Sequence, residues 1–125
     1  MKLHLARPQG RNLFSGYGSG YVAINGTRYE HSLVVLPDRL ADWEPARFED
    51  LTEPMFAELA ALPLEILIVG TGAKLRFPSP ALTRSLYEAR IGVEVMDTQA
   101  ACRTYNILLS EDRRVGAAIL IDAAA

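Results

Sequence analysis

The apolar positions of this chain follow two rhythms. Ile66-Leu67-Ile68-Val69 is an unbroken apolar run, three of its four residues β-branched, that passes straight into Gly70-Thr71-Gly72. A run of this kind, with Pro63 in front and glycines behind, predicts a strand buried on both faces in the middle of an α/β sheet. Val115-Gly116-Ala117-Ala118-Ile119-Leu120-Ile121 predicts a last buried strand, and Val93-Glu94-Val95-Met96 a short one. Between these runs the period lengthens to that of a helix. Ser79-Pro80 offers an N-cap with proline at the first helical position, and Leu82, Leu86 and Ala89 continue to Gly92, which suits a left-handed C′ residue. A helix is therefore expected from about 80 to 91. Asp97-Thr98 caps another, whose Ala101, Tyr105 and Leu108 share a face. Upstream, Asp50-Leu51-Thr52-Glu53-Pro54 opens a helix with Met55, Leu59 and Leu62 on one face beside Phe56, and Pro63 ends it.

The first third of the chain reads as β structure. Asn12-Leu13-Phe14-Ser15 leads through Gly16-Tyr17-Gly18-Ser19-Gly20, a flexible or bulged approach, to the strand Tyr21-Val22-Ala23-Ile24. Asn25-Gly26 then predicts a type I′ turn, so Tyr21 to Ile24 should pair antiparallel with Thr27 to Leu36. That second arm is polar at its start and apolar at its end, as expected of a strand passing from an exposed edge into the core. Pro37-Asp38 stops it, and residues 38 to 50, charged and containing Trp43 and Pro45, read as a connecting loop. Strand, helix, strand, helix, strand over 64 to 121 makes two consecutive crossover units, right-handed where their strands are parallel. Asp122 to Ala125 is expected to fray. The fold class is thus α/β: one three-layer domain over 1–125, with a mixed sheet, crossover helices and an N-terminal hairpin layer.

Composition changes this picture only by exclusion. A length of 125 residues suits one core without metal or disulfide support. Thirteen Lys plus Arg against fifteen Asp plus Glu leave a net charge of −2, without the basic excess that phosphate backbones reward, so nucleic acid is not an expected partner. The single cysteine, Cys102, permits no internal disulfide and points to a reducing compartment. The start has too short an apolar run for a signal peptide, and no stretch approaches spanning length. The expectation is a cytoplasmic protein that does not span a membrane.

Candidate chemistry is sparse. Gly70-Thr71-Gly72 has the form of an anion-binding nest, with charge from Lys74 and Arg76 nearby, or of glycines that simply turn the chain. It is not a dinucleotide fingerprint, which would need a third glycine where Leu75 stands, and there is no Walker A loop. Arg103 and Asn106 lie three apart on the third helix and face the same way, suited to a carboxylate, to a partner's backbone, or to a solvated face with Asn106 bonding a neighbouring loop. Cys102 has no histidine near it in sequence; His4 and His31 lie in the β part. No zinc spacing and no acid/base carboxylate pair stands out. No catalytic residue, metal or cofactor is expected.

Several stretches taken together carry a resemblance. Gly18 to Gly26 with Tyr29 and Ser32 to Pro37, then Leu67 to Gly72, then Gly92 to Thr98 running into Ala101 to Leu108, then Glu111 to Val115 with Ala117-Ala118, resemble the small domain shared by mitochondrial complex I assembly factor 3 and many bacterial and archaeal proteins of unknown function. The most specific part is Thr98-x-x-Ala101 to Thr104-Tyr105-Asn106. The resemblance implies a three-layer α/β domain with a hairpin layer and a surface pocket near the Gly-Thr-Gly turn, and it supplies no catalytic residues.

Two functional expectations follow. One is a non-enzymatic interaction or assembly module with a protein partner, homo-oligomerisation being left open. The other is a small-molecule or anion-binding protein, or an enzyme of low activity, using Gly70, Thr71, Gly72 and Lys74 with the helix start at Thr98; Arg103 and Asn106 complete the candidate ligand set.

Overall fold

The computed structural model describes residues 4–5 and 10–122. Six strands, β1 (His4–Leu5), β2 (Phe14–Gly18), β3 (Tyr21–Ile24), β4 (Thr27–Tyr29), β5 (Leu33–Val35) and β6 (Arg39–Asp42), precede a 3-10 turn at Phe48–Asp50 and helix α1 (Glu53–Leu59). Then come β7 (Ile66–Gly70), α2 (Arg84–Glu88), β8 (Gly92–Met96), α3 (Thr98–Ser110) and β9 (Val115–Ile119). A six-stranded mixed sheet has the order β1-β6-β5-β9-β7-β8, and β2-β3-β4 form a separate antiparallel sheet.

The unbroken apolar runs are explained by two cores, one on each face of the large sheet. Along β7, Leu67 and Val69 enter the core with Phe56, Leu59, Leu86 and Trp43, while Ile68 enters the other with Ala101, Cys102 and Tyr105. Residues Val115 to Ile121 divide in the same way, Ala117 and Ile119 to one face, Ala118 and Leu120 to the other. A strand with a period of two needs apolar residues at every position when both faces are covered. The three layers are therefore α1 with α2, the large sheet, and α3 with the small sheet.

β7 pairs parallel with both neighbours, Ile66 standing opposite Gly92 and Val115, and Gly70 opposite Met96 and Ile119. The two crossovers run in opposite directions across the sheet, β7 to β8 and then back over β7 to β9, and their helices cover opposite faces. That combination keeps the same hand in both units.

Asn25 and Gly26 have φ of 51° and 87°, the pair of positive values that the predicted turn requires. The strand expected over Thr27 to Leu36 is two strands. It breaks at Glu30-His31-Ser32, with β4 in the small sheet and β5 in the large one, so the passage from edge to core is a change of sheet. Within the expected loop 38 to 50, Arg39–Asp42 is a strand that pairs Val35 with Leu40; its alternation is masked by charged residues. The second helix is shorter than 80–91. Ser79 to Thr83 form turns, the regular helix begins at Arg84, and Arg90 rather than Gly92 takes the left-handed conformation, at φ 62°. Gly92 is free to open β8. Of the tail expected to fray, Asp122 to Ala125, only Asp122 is described; residues 123–125 lie outside the described residues.

Candidate functional site

The carboxyl ends of β7 and β9 meet the amino end of α3, where the fold class leads one to look for a ligand. Asp97 caps α3 by accepting from the Ala100 amide at 2.9 Å. Gly70 lets the helix come close: a Cβ there would stand 2.9 Å from Ile119 Cδ1, 3.1 Å from Ala101 Cβ and 3.1 Å from Thr98 Oγ1.

Beyond it the turn is bound internally. The Thr71 amide donates to Met96 O at 2.9 Å, and the nearly buried Thr71 hydroxyl donates to Lys74 O at 2.6 Å while accepting from the Arg76 amide at 3.2 Å. Gly72, at φ 91°, donates its amide to Thr98 Oγ1 at 2.8 Å and accepts from the Thr98 amide at 2.9 Å. The Thr98 hydroxyl in turn donates to Leu120 O at 3.1 Å. Turn, helix start and last strand are stitched through one hydroxyl. The amides of Thr71 and Gly72, which a nest would aim at an anion, are spent on this stitch.

Two shallow clefts flank the turn. One, of about 220 Å³, is bordered by Arg47, Phe48, Thr71, Lys74 and Arg76; the other, of about 210 Å³, by Gly18, Tyr21, Gly72, Thr98 and Gln99. In the first, Arg76 bonds Glu49 at 2.6 Å, and that guanidinium holds the Glu49 carboxyl below its usual range. Lys74 borders this cleft with an exposed side chain.

Arg103 and Asn106 stand apart from Gly70, Thr71, Gly72, Lys74 and Thr98. Asn106 is about 12 Å along the helix axis from Thr98 at 1.5 Å per residue. Its amide donates to Phe14 O at 2.9 Å and accepts from the Phe14 amide at 3.0 Å. Arg103 donates to the Tyr17 hydroxyl at 3.0 Å. Both side chains fasten α3 to β2.

A family model described as "Protein of unknown function (DUF498/DUF598)" matches residues 14–120. The chain belongs to that family. Complex I (NADH dehydrogenase [ubiquinone] 1 alpha subcomplex) assembly factor 3 of Bos taurus is 35% identical over 106 residues, 83% of this chain. The chain spans less than two-thirds of that relative, 58% of its length. A crystal structure of a Bordetella parapertussis protein superposes with a TM-score of 0.86 at 39% identity, covering 93% of this chain and 100% of the other. The solution structure of a Bordetella pertussis protein described as a Mth938-like domain gives a TM-score of 0.80 at 35% identity, covering 98% and 93%.

In this DUF498/DUF598 chain, the segment from Thr98 to Asn106 does architectural work at each polar position described above. Cys102 lies wholly inside the core, and burial pushes its thiol pKa up to about 12, so it stays protonated at neutral pH. Sequence reasoning missed Asn12. Its buried side chain donates to Leu36 O and Arg39 O, both at 2.8 Å, its amide donates to Pro37 O, and its carbonyl accepts from Tyr105 Oη at 3.1 Å. The available signal was an amide residue just before an apolar strand, which turn chemistry also explains. Among the described residues, no group of three or more His, Cys, Asp or Glu could hold a metal ion, and no helix is long and apolar enough to cross a membrane.

Proposed function

We propose that this chain is a protein-interaction module of the assembly-factor kind, working in the cytoplasm without chemistry of its own. The observation that carries the reading is the similarity to complex I assembly factors over 83% of the chain. Two features of the molecule agree with it. The thiol of Cys102 is held neutral and out of reach. The loop after β7 presents Leu75 at 51% and Phe77 at 71% exposure, more apolar surface than a turn needs for its own packing. The alternative, an anion or small molecule held by Gly70 to Lys74, would have to take the Thr71 and Gly72 amides from the partners they already have.

Deletion of the gene in the source organism, followed by native electrophoresis of NADH dehydrogenase, tests the reading. The expected result is depletion of the mature complex, restored by the wild-type chain but not by a folded Leu75→Asp, Phe77→Asp double variant. Normal accumulation of the complex without the gene overturns it.

A further inference from the structure

The hydrogen-bond phase of β8 fixes which of its backbone groups are left over. The Gly92 amide donates to Glu65 O at 2.9 Å, and Met96 O accepts from the Thr71 amide at 2.9 Å. Backbone groups alternate sides along a strand, so Gly92, Glu94 and Met96 turn theirs toward β7. Val93 and Val95 therefore turn their N–H and C=O groups away from it. β8 ends the sheet order, so no strand of this sheet lies there to receive them.

Other strand ends among the described residues are blunted. β4 has three residues. The outer side of β2 is occupied at Phe14 by the Asn106 amide, and its pairing is broken by an irregularity between Phe14 and Gly16. β8 keeps five regular residues in parallel register with β7 and contains no proline. A row of this kind is a template for another strand.

The geometry points to the outer edge of β8 as a docking site for an extended segment of a partner protein that carries a Lys or Arg opposite Glu94. The inference rests on the protein-interaction reading and names the mode of contact. The side chains set the specificity. Val93 and Val95 pack toward the α1 and α2 core and Met96 toward the α3 core. Exposed Glu94 is the charged side chain of the strand. In antiparallel addition Glu94 occupies a non-hydrogen-bonded position, where facing side chains come closest and an opposite charge is favoured. The same residue disfavours a second copy. The symmetric register that pairs both valines with both valines sets Glu94 directly against its own copy. The edge is thus open to a cationic strand and guarded against itself.

The test is a titration of the ¹⁵N-labelled full chain with the peptide acetyl-Thr-Val-Lys-Val-Thr-amide. The expected result is movement of the Val93 and Val95 amide resonances and slowed hydrogen exchange at both, with a peptide bearing Glu for Lys binding roughly five-fold more weakly. Val95→Pro removes an outward donor and leaves the bonds to β7 in place, so this variant should remain folded and lose the response. Unmoved Val93 and Val95 amides, or an unchanged response in Val95→Pro, overturn the proposal. Concentration-dependent shifts of these amides without peptide also overturn it, by assigning the edge to a second copy. If the Val95→Pro gene restores NADH dehydrogenase in the deletion strain as well as wild type does, the edge is excluded while the assembly reading survives. If the wild-type gene makes no difference, the reading fails while the titration still decides the edge.

Discussion

Asn106 binds Phe14 as a neighbouring strand would, accepting from the Phe14 amide at 3.0 Å and donating to the Phe14 carbonyl at 2.9 Å from a single side chain. A primary amide carries a donor N–H and an acceptor oxygen on one carbon, so a single side chain can pair with both the N–H and the C=O that a strand residue turns to one side. The bond pair, with Arg103 on the Tyr17 hydroxyl and Phe14 edge-on to the Tyr105 ring at 5.2 Å, locks the small sheet to α3. Asn106→Leu keeps the bulk and removes both partners. The expected loss of stability is about 1–3 kcal/mol, the cost of leaving backbone groups unsatisfied. Urea denaturation checks it, through a lower midpoint at unchanged slope.

Thr98 performs a comparable task at the other end of the helix. Its hydroxyl accepts from Gly72 and donates to Leu120, so Thr98→Val, nearly the same shape, breaks both bonds and Thr98→Ser breaks neither. The valine variant should lose about 1–2 kcal/mol and the serine variant much less. Hydrogen exchange locates the effect: protection of the Gly72 amide falls in the valine variant and is retained with serine.

Gly70→Ala tests the closeness of that helix start. The added methyl would sit 2.9 Å from Ile119 Cδ1, which can rotate away, but also 3.1 Å from Ala101 Cβ, which cannot. α3 has to shift, at an expected cost of about 1–3 kcal/mol. Thermal unfolding measures it, and Ile119→Val in the same chain should recover part of the loss by clearing one of the contacts.

These relationships show what was legible in the sequence. The runs at 66–69 and 115–121 declared doubly covered strands because burial on both faces requires an apolar residue at every position. Asn25-Gly26 declared its turn because few dipeptides tolerate two positive φ values. β6 was not legible: Arg39-Leu40-Ala41-Asp42 has exposed charges at both ends and only Ala41 fully buried. The division of 27–36 between two sheets was not legible either, since Ser32 reads as a polar interruption in one strand. Its buried hydroxyl accepts from the Ile121 amide at 3.0 Å, a contact 89 residues away in sequence. Glycines at a turn and polar residues on a helix face look alike whether they bind a ligand or their own backbone. For Gly72, Thr98 and Asn106, only tertiary contacts identify the partner as the protein itself.

The last prediction concerns alkaline pH. Burial raises the Cys102 thiol from an ordinary value of 9.0 to about 12, and burial also raises the Tyr105 phenol above its ordinary 10.0. Between pH 9 and 12 the unfolded chain gives up the thiol proton while the folded chain keeps it. Because the unfolded state then binds fewer protons, stability is fully present below about pH 9 and falls as pH rises toward 12. The slope approaches 1.4 kcal/mol per pH unit for each such group, so Tyr105 steepens the fall above its own unfolded value. Equilibrium denaturation measured from pH 7 to 11 should show a plateau and then a decline that Cys102→Ala makes shallower, even though this variant starts less stable through the lost packing. The same burial governs reactivity. At pH 8 an aromatic disulfide reagent should leave Cys102 untouched in the folded chain and react with it quantitatively in urea. Rapid labelling under native conditions would mean that the α3 layer opens far more readily than its packing against β7 and β9 allows.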